Sequence, residues 1–142
     1  MSIEEGGQPK PKNFREGKEK INLRILIAED NELIGQMLVL LLGMKYSSVE
    51  LVKSAEEMLA RMDEGEFDLV ITDNTMLGDM TGIEAIAEIR QGNRLKDIPI
   101  ILYTTDTGNL ENEAKALGAV FLKKPIANED MVARIEELRK KN

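Results

Sequence analysis

Cysteine and histidine are both absent from this 142-residue chain. Without cysteine there is no disulfide, no thiolate zinc site and no thiol nucleophile. Without histidine the chain lacks the commonest general base near neutral pH and the commonest transition-metal ligand. Any metal it holds should be a hard cation bound through oxygen. An excess of basic charge is missing as well: 26 acidic residues outnumber 19 basic ones, and the formal net charge is -7. A nucleic-acid backbone is bound through a basic footprint, so no direct nucleic-acid binding is expected. Long apolar runs are also missing. The longest, Leu33 to Met44, is broken by Gly35, Gln36 and Gly43 and is too short to cross a bilayer. The first residues, Met1 to Gly7, carry no apolar core of the secretory kind. A cytoplasmic protein with no membrane contact is expected.

What remains is an ordinary soluble composition, 32% charged and 42% hydrophobic, in a length that suits one domain with a proper core. Residues 1–21 are polar, of mixed charge and without periodicity, and read as a flexible leader. Residues 22–142 read as the folded domain, in which short apolar runs alternate with amphipathic segments. Strands are expected at 23–28, 48–52, 68–72, 98–103 and 119–123, and helices at 31–44, 54–63, 81–91, 107–117 and 128–141. Ser54-Ala-Glu-Glu57 has the spacing of a capping box, and Gly65 follows the helix it opens. Glu129 and Asp130 start the last helix and Arg139, Lys140 and Lys141 end it, as the helix dipole favours. Five strands alternating with five helices imply right-handed βαβ units and an α/β fold, a parallel sheet covered on both faces.

Four polar residues then stand out. Asp30, Asp73, Thr104 and Lys124 each sit at the end of, or just after, an apolar run. In a parallel sheet all four emerge at the carboxyl edge, where open α/β sheets bind ligands. Glu29 and Asp30 beside Asp73 would repel one another, and a divalent cation relieves that repulsion. With oxygen the only donor on offer, Mg²⁺ fits. Asp73 is then either a third ligand or a nucleophile, since Asp carboxylates do accept phosphoryl groups. Lys124 would balance phosphate charge, and the Thr104 hydroxyl could donate to a phosphate oxygen. Singly, each residue has a plainer explanation as a helix cap, a turn or a loop contact. All four in order on successive strand ends do not.

Residues 23–141 resemble the receiver domain of two-component response regulators. The resemblance rests on Ile25-Leu-Ile-Ala-Glu-Asp-Asn31, Phe67-Asp-Leu-Val-Ile-Thr-Asp73, Ile98-Pro-Ile-Ile-Leu-Tyr-Thr104 and Gly118-Ala-Val-Phe-Leu-Lys-Lys-Pro125. It implies a flavodoxin-like, doubly wound sheet of order 2-1-3-4-5. It implies that Asp73 accepts a phosphoryl group from a phosphohistidine on a sensor histidine kinase or histidine phosphotransferase. Asp30 would bind Mg²⁺ directly, Glu29 through water, and Thr75 through its main-chain carbonyl. Lys124 would pair with the phosphoryl group and Thr104 would swing toward it. Phe121 falls at the family's aromatic switch position, on a face of the fourth helix, last strand and fifth helix that would meet a downstream protein. Thr75 and Asp106 lie two positions after Asp73 and Thr104, border the path of attacking water, and should set the phosphate's lifetime.

The chain departs from the family pattern in three places. Met76-Leu-Gly-Asp-Met-Thr-Gly82 is one residue longer than usual, with Leu77 where proline is common. Thr105 replaces a very small residue, and Gly118-Ala-Val-Phe121 is one residue short. The leading function is a stand-alone receiver, a signalling domain rather than an enzyme. The alternative is a degenerate receiver that serves as a constitutive interaction module. A phosphatase with an Asp nucleophile would want a second acid two residues on, where this chain has Thr75. In the first helix, apolar residues from Leu33 to Met44 fill an arc of about 200°, wider than a one-sided helix needs. Either the helix is buried between the sheet and the last helix, or one flank docks a partner's helical bundle, with Leu42 taken as an exposed member of it.

Overall fold

The computed structural model describes residues 19–92 and 94–141. The leader expected at 1–21 therefore lies almost wholly outside the described residues. Ten elements alternate along the chain. They are β1 (Ile21–Ala28), α1 (Glu32–Gly43), β2 (Tyr46–Val52), α2 (Ala55–Glu64), β3 (Leu69–Thr72), α3 (Gly82–Gln91), β4 (Ile100–Thr104), α4 (Leu110–Ala116), β5 (Val120–Lys123) and α5 (Asn128–Lys141). The strands form one parallel sheet in the order β2-β1-β3-β4-β5. This is the flavodoxin-like, doubly wound arrangement.

Strand alternation divides the interior in two. Leu26, Ala28, Val70, Ile100 and Leu102 point to one face and pack with Met58 of α2, Ile86 of α3 and Ala114 of α4. Ile25, Ile27, Leu69, Ile71 and Ile101 point to the other and pack with Leu38 and Leu42 of α1 and with Met131 and Ile135 of α5. A fully buried side chain of this size contributes about 1.5–3 kcal/mol, so the two clusters hold the helices against the sheet.

Capping fixes where the helices begin. Asn31 accepts from Ile34 N–H at 3.0 Å. Ser54 accepts from Glu57 N–H as the sequence suggested, but the Glu57 carboxylate takes the Lys53 N–H at 2.8 Å rather than that of Ser54. A reciprocal capping box does form, at Thr81 and Glu84. A long-range tie closes the α1–α5 side, where the buried Tyr46 hydroxyl donates to Glu136 on α5 at 2.7 Å. Arg139 also donates to Glu136.

Candidate phosphoacceptor site

The strand ladder positions the site. Each of three candidate residues makes one more ladder bond past its strand. Glu29 N–H donates to Val52 O, Asp73 N–H to Ala28 O and Lys124 N–H to Thr104 O, each at 2.9 Å. These bonds fix Glu29, Asp73 and Lys124 at one sheet edge.

The side chains converge there. Lys124 Nζ lies 2.7 Å from Asp73 Oδ2 and 2.6 Å from Glu29 Oε1. The Lys124 side chain is only 8% exposed. Burial disfavours its charge, but the hydrogen bonds to Asp73 and Glu29 outweigh it and hold the ammonium above the ordinary lysine range. Glu29 is buried and uses both oxygens, accepting from Lys124 and from Asn31 N–H at 3.1 Å. Burial pushes its carboxyl up, against the pull of those two donors. Asp73 Oδ1 accepts from Asn74 N–H at 2.6 Å.

Carboxylate oxygens of Glu29, Asp30 and Asp73 lie within 4.8 Å of one another. Three acids facing one lysine leave an excess of negative charge that a hard divalent cation would neutralise, so the residues fit Mg²⁺. Lys124 also sits over the Tyr103 ring, 5.6 Å from its centre, and the Tyr103 hydroxyl accepts from Ile126 N–H at 3.2 Å. The ring and the loop after β5 thus support the lysine from behind.

Thr104 ends β4, almost fully buried, and its hydroxyl accepts from Asp106 N–H at 3.1 Å. The Asp106 carboxylate accepts from the Thr75 hydroxyl at 2.6 Å and from the Asn74 amide at 3.0 Å. Those two bonds, with the Lys124 charge, hold the Asp106 carboxyl below the usual carboxylate range against an opposing effect of burial. The structure thus places Thr75 and Asp106 against each other beside Asp73. Phe121 lies on β5, half-buried against the cluster under α2, α3 and α4.

The longer loop 76–82 is tied down at its Gly82 end and in its middle. Gly82 N–H donates to Asn74 O at 2.7 Å, and a Cβ at Gly82 would meet Asp73 O at 2.1 Å, so only glycine fits there. Glu56 of α2 accepts from Asp79 and Met80 N–H at 2.9 and 3.0 Å. Gly78, at φ +93°, lets the chain turn against that carboxylate. Neither Asn74 nor Glu56 was singled out from the sequence. The only signals for them there are that Asn74 adjoins Asp73 and that Glu56 is an acid in a first helical turn.

A family model for the response regulator receiver domain matches residues 25–136. The chain belongs to the response regulator receiver family. The two-component response regulator PhoP of Pseudomonas aeruginosa is 31% identical over 123 residues, covering 84% of this chain and 53% of that protein. Hybrid signal transduction histidine kinase D of Dictyostelium discoideum is 29% identical over 131 residues, covering 89% of this chain and 8% of that protein. The solved chemotaxis response regulator CheY4 of Vibrio cholerae superposes with a TM-score of 0.74 at 31% identity, over 82% of this chain and 98% of that one. The chain spans about half the length, or less, of the curated relatives it matches.

Beside the receiver site, α1 is divided. Leu38 and Leu42 are buried, whereas Leu33, Met37, Leu40 and Met44 are 54–77% exposed. Leu42 therefore faces the sheet and not the solvent, which corrects its place on the exposed flank. Helical spacing puts Leu42 four residues after Leu38, on the packed side. Met37 helps line a groove with Tyr103, Lys124 and Pro125. Among the described residues no helix is long and apolar enough to cross a membrane.

Proposed function

We propose that this receiver domain accepts a phosphoryl group on Asp73 from a phosphohistidine, with Mg²⁺ bound, and that acceptance changes how it binds a partner. The observation that carries the reading is the Asp73 carboxylate held 2.7 Å from Lys124, with Glu29 and Asp30 alongside it. Asp30 and Asp73 would hold the metal through carboxylate oxygens, Thr75 through its main-chain carbonyl and Glu29 through a water. Mg²⁺ supplies positive charge against the phosphoryl oxygens, lowering the cost of bringing two anions together.

An Asp73 carboxylate oxygen attacks phosphorus. The O–P bond forms as the P–N bond to the donor imidazole breaks. Its electron pair returns to the ring nitrogen, and a donor ring already protonated on its other nitrogen leaves as neutral imidazole. Lys124 stabilises the charge spread over the transferring group, and the Asp73 backbone ladder keeps the nucleophile in line. The Thr104 hydroxyl, which accepts from Asp106, still has its own proton to donate to a phosphoryl oxygen. Phe121, on β5 and paired with Leu102 two residues before Thr104, would respond to movement of that threonine, on the face of α4, β5 and α5 that would meet the downstream protein.

The donor would be a sensor histidine kinase or histidine phosphotransferase, docking beside the exposed side of α1. Incubation with a small phosphodonor should give a single hydroxylamine-labile phosphoryl adduct by intact mass, dependent on Mg²⁺. The same adduct on Asp73→Asn would sink the reading.

A further inference from the structure

Asn74 follows the nucleophile directly, is 8% exposed, and uses both ends of its side-chain amide. Its Oδ1 accepts from Ile83 N–H at 2.9 Å, at the start of α3. Its Nδ2 donates to Asp106 Oδ2 at 3.0 Å, on the loop after β4. Turning the amide over would set Nδ2 against an N–H donor and Oδ1 against a carboxylate, so its orientation is determined by its partners. Among the described residues Thr75 supplies the other side-chain hydrogen bond to that Asp106 oxygen, at 2.6 Å, and Thr75 is exposed.

We propose that Asn74 is a positioning residue that latches Asp106 across from Asp73, shielding an acyl phosphate on Asp73 from water. The proposal rests on the phosphoacceptor reading above and extends it to the regulation of phosphate lifetime. The bonds from Asn74 and Thr75 to Asp106 join the loops after β3 and β4, the two neighbouring strands whose ends carry Asp73 and Thr104. Asp106 N–H in turn engages the Thr104 hydroxyl. A network whose donors are half buried and half exposed opens at its exposed arm. Asn74 is the buried arm, so its loss leaves Asp106 held by a hydroxyl that water can replace. Water then reaches the phosphoryl group more often. The α3 arm gives Asn74 a structural duty as well, which the test must separate.

The test is a double-mutant cycle read in acyl-phosphate half-life, after removing the phosphodonor from Mg²⁺-loaded protein. Asn74→Ala should shorten the half-life about tenfold, the effect of losing a hydrogen bond to a charged group. In an Asp106→Ala background the same change should alter it by less than about twofold, because the latch is already gone. Equal shortening in both backgrounds, no change, or a longer half-life would overturn the proposal. If Asn74→Ala does not fold, Asn74→Asp keeps the acceptor for Ile83 N–H, loses the donor to Asp106, and should show the same dependence on Asp106. In the unphosphorylated, metal-free protein, either Asn74 variant should shift the Asp106 and Thr104 amide resonances. If wild type takes no phosphoryl group, the phosphoacceptor reading fails, and those resonances alone decide whether Asn74 positions Asp106. An unmoved Asp106 amide overturns that role.

Discussion

Lys124 Nζ bridges Asp73 and Glu29, 2.7 Å from one carboxylate and 2.6 Å from the other. The bridge has a consequence for the metal. Glu29 spends both oxygens inside the protein, on Lys124 and on the Asn31 N–H. Glu29 is also buried, whereas Asp30 is half-buried and more open to a hydrated cation. Asp30→Asn should therefore weaken Mg²⁺ binding by about tenfold or more, and Glu29→Gln by less. A titration giving the reverse order would exchange their roles.

Met37 tests the donor surface. It is 54% exposed and lines the groove that reaches Tyr103 and Lys124. Met37→Glu should slow transfer from a histidine-phosphorylated helical donor by about tenfold, as charge does at the centre of an interface. Transfer from a small phosphodonor should be unchanged. Equal slowing with both donors would mean that the site itself was damaged. A charge at Leu42 would be a poor substitute, because Leu42 is fully buried and the change would unfold α1 from the sheet.

The four polar residues at the sheet edge were legible because each follows an apolar run, and a parallel sheet brings such ends together. The order of the sheet came with the resemblance, and the structure has it. Other features could not be seen in the chain alone. A helical wheel tells which residues of α1 are apolar but not which of them the sheet covers, so Leu42 was assigned to the wrong side. The Ser54 motif gave the helix start correctly, but the partner of Glu57 depends on where the Lys53 backbone lies. Asn74 and Glu56 act through bonds to Asp106, Asp79 and Met80, whose nearness is made by loop geometry and not by spacing. Tyr46 and Glu136 are 90 residues apart, and nothing in either segment points to the other.

That tie gives a stability prediction. The Arg139 hydrogen bond, helped by the Tyr46 hydroxyl and opposed by burial, brings the Glu136 carboxyl down to about 2. An unfolded glutamate titrates near about 4.3. The contribution of a depressed carboxyl is fully present above the unfolded value and is lost as pH falls toward the folded one. Glu136→Gln should cost about 1–2 kcal/mol near neutral pH. Urea melts should show that gap narrowing as pH is lowered below about 4.5. A gap that stays constant down to acid unfolding would remove Glu136 from the account.

Phe121 is half-buried against the cluster under α2, α3 and α4. Phenylalanine has no hydroxyl to leave unpaired when it turns inward, and its full burial is worth at most about 1.5–3 kcal/mol. The ring should therefore sample an inward position in the unphosphorylated protein, and phosphorylation should shift that population moderately. Ring and backbone resonances on the face of α4, β5 and α5, with and without a phosphoryl mimic, report it. Full exposure before and full burial after would contradict a graded switch, and a face that does not move would contradict the switch itself.

The phosphoacceptor assignment is tested most directly by trapping. An aspartyl phosphate reduced with borohydride becomes homoserine, which tandem mass spectrometry locates to a residue. After treatment with a small phosphodonor and Mg²⁺, homoserine is expected at position 73 alone, and none when the metal is chelated. Homoserine at position 30 or 106 instead, or no homoserine in protein that still binds Mg²⁺, would contradict the assignment.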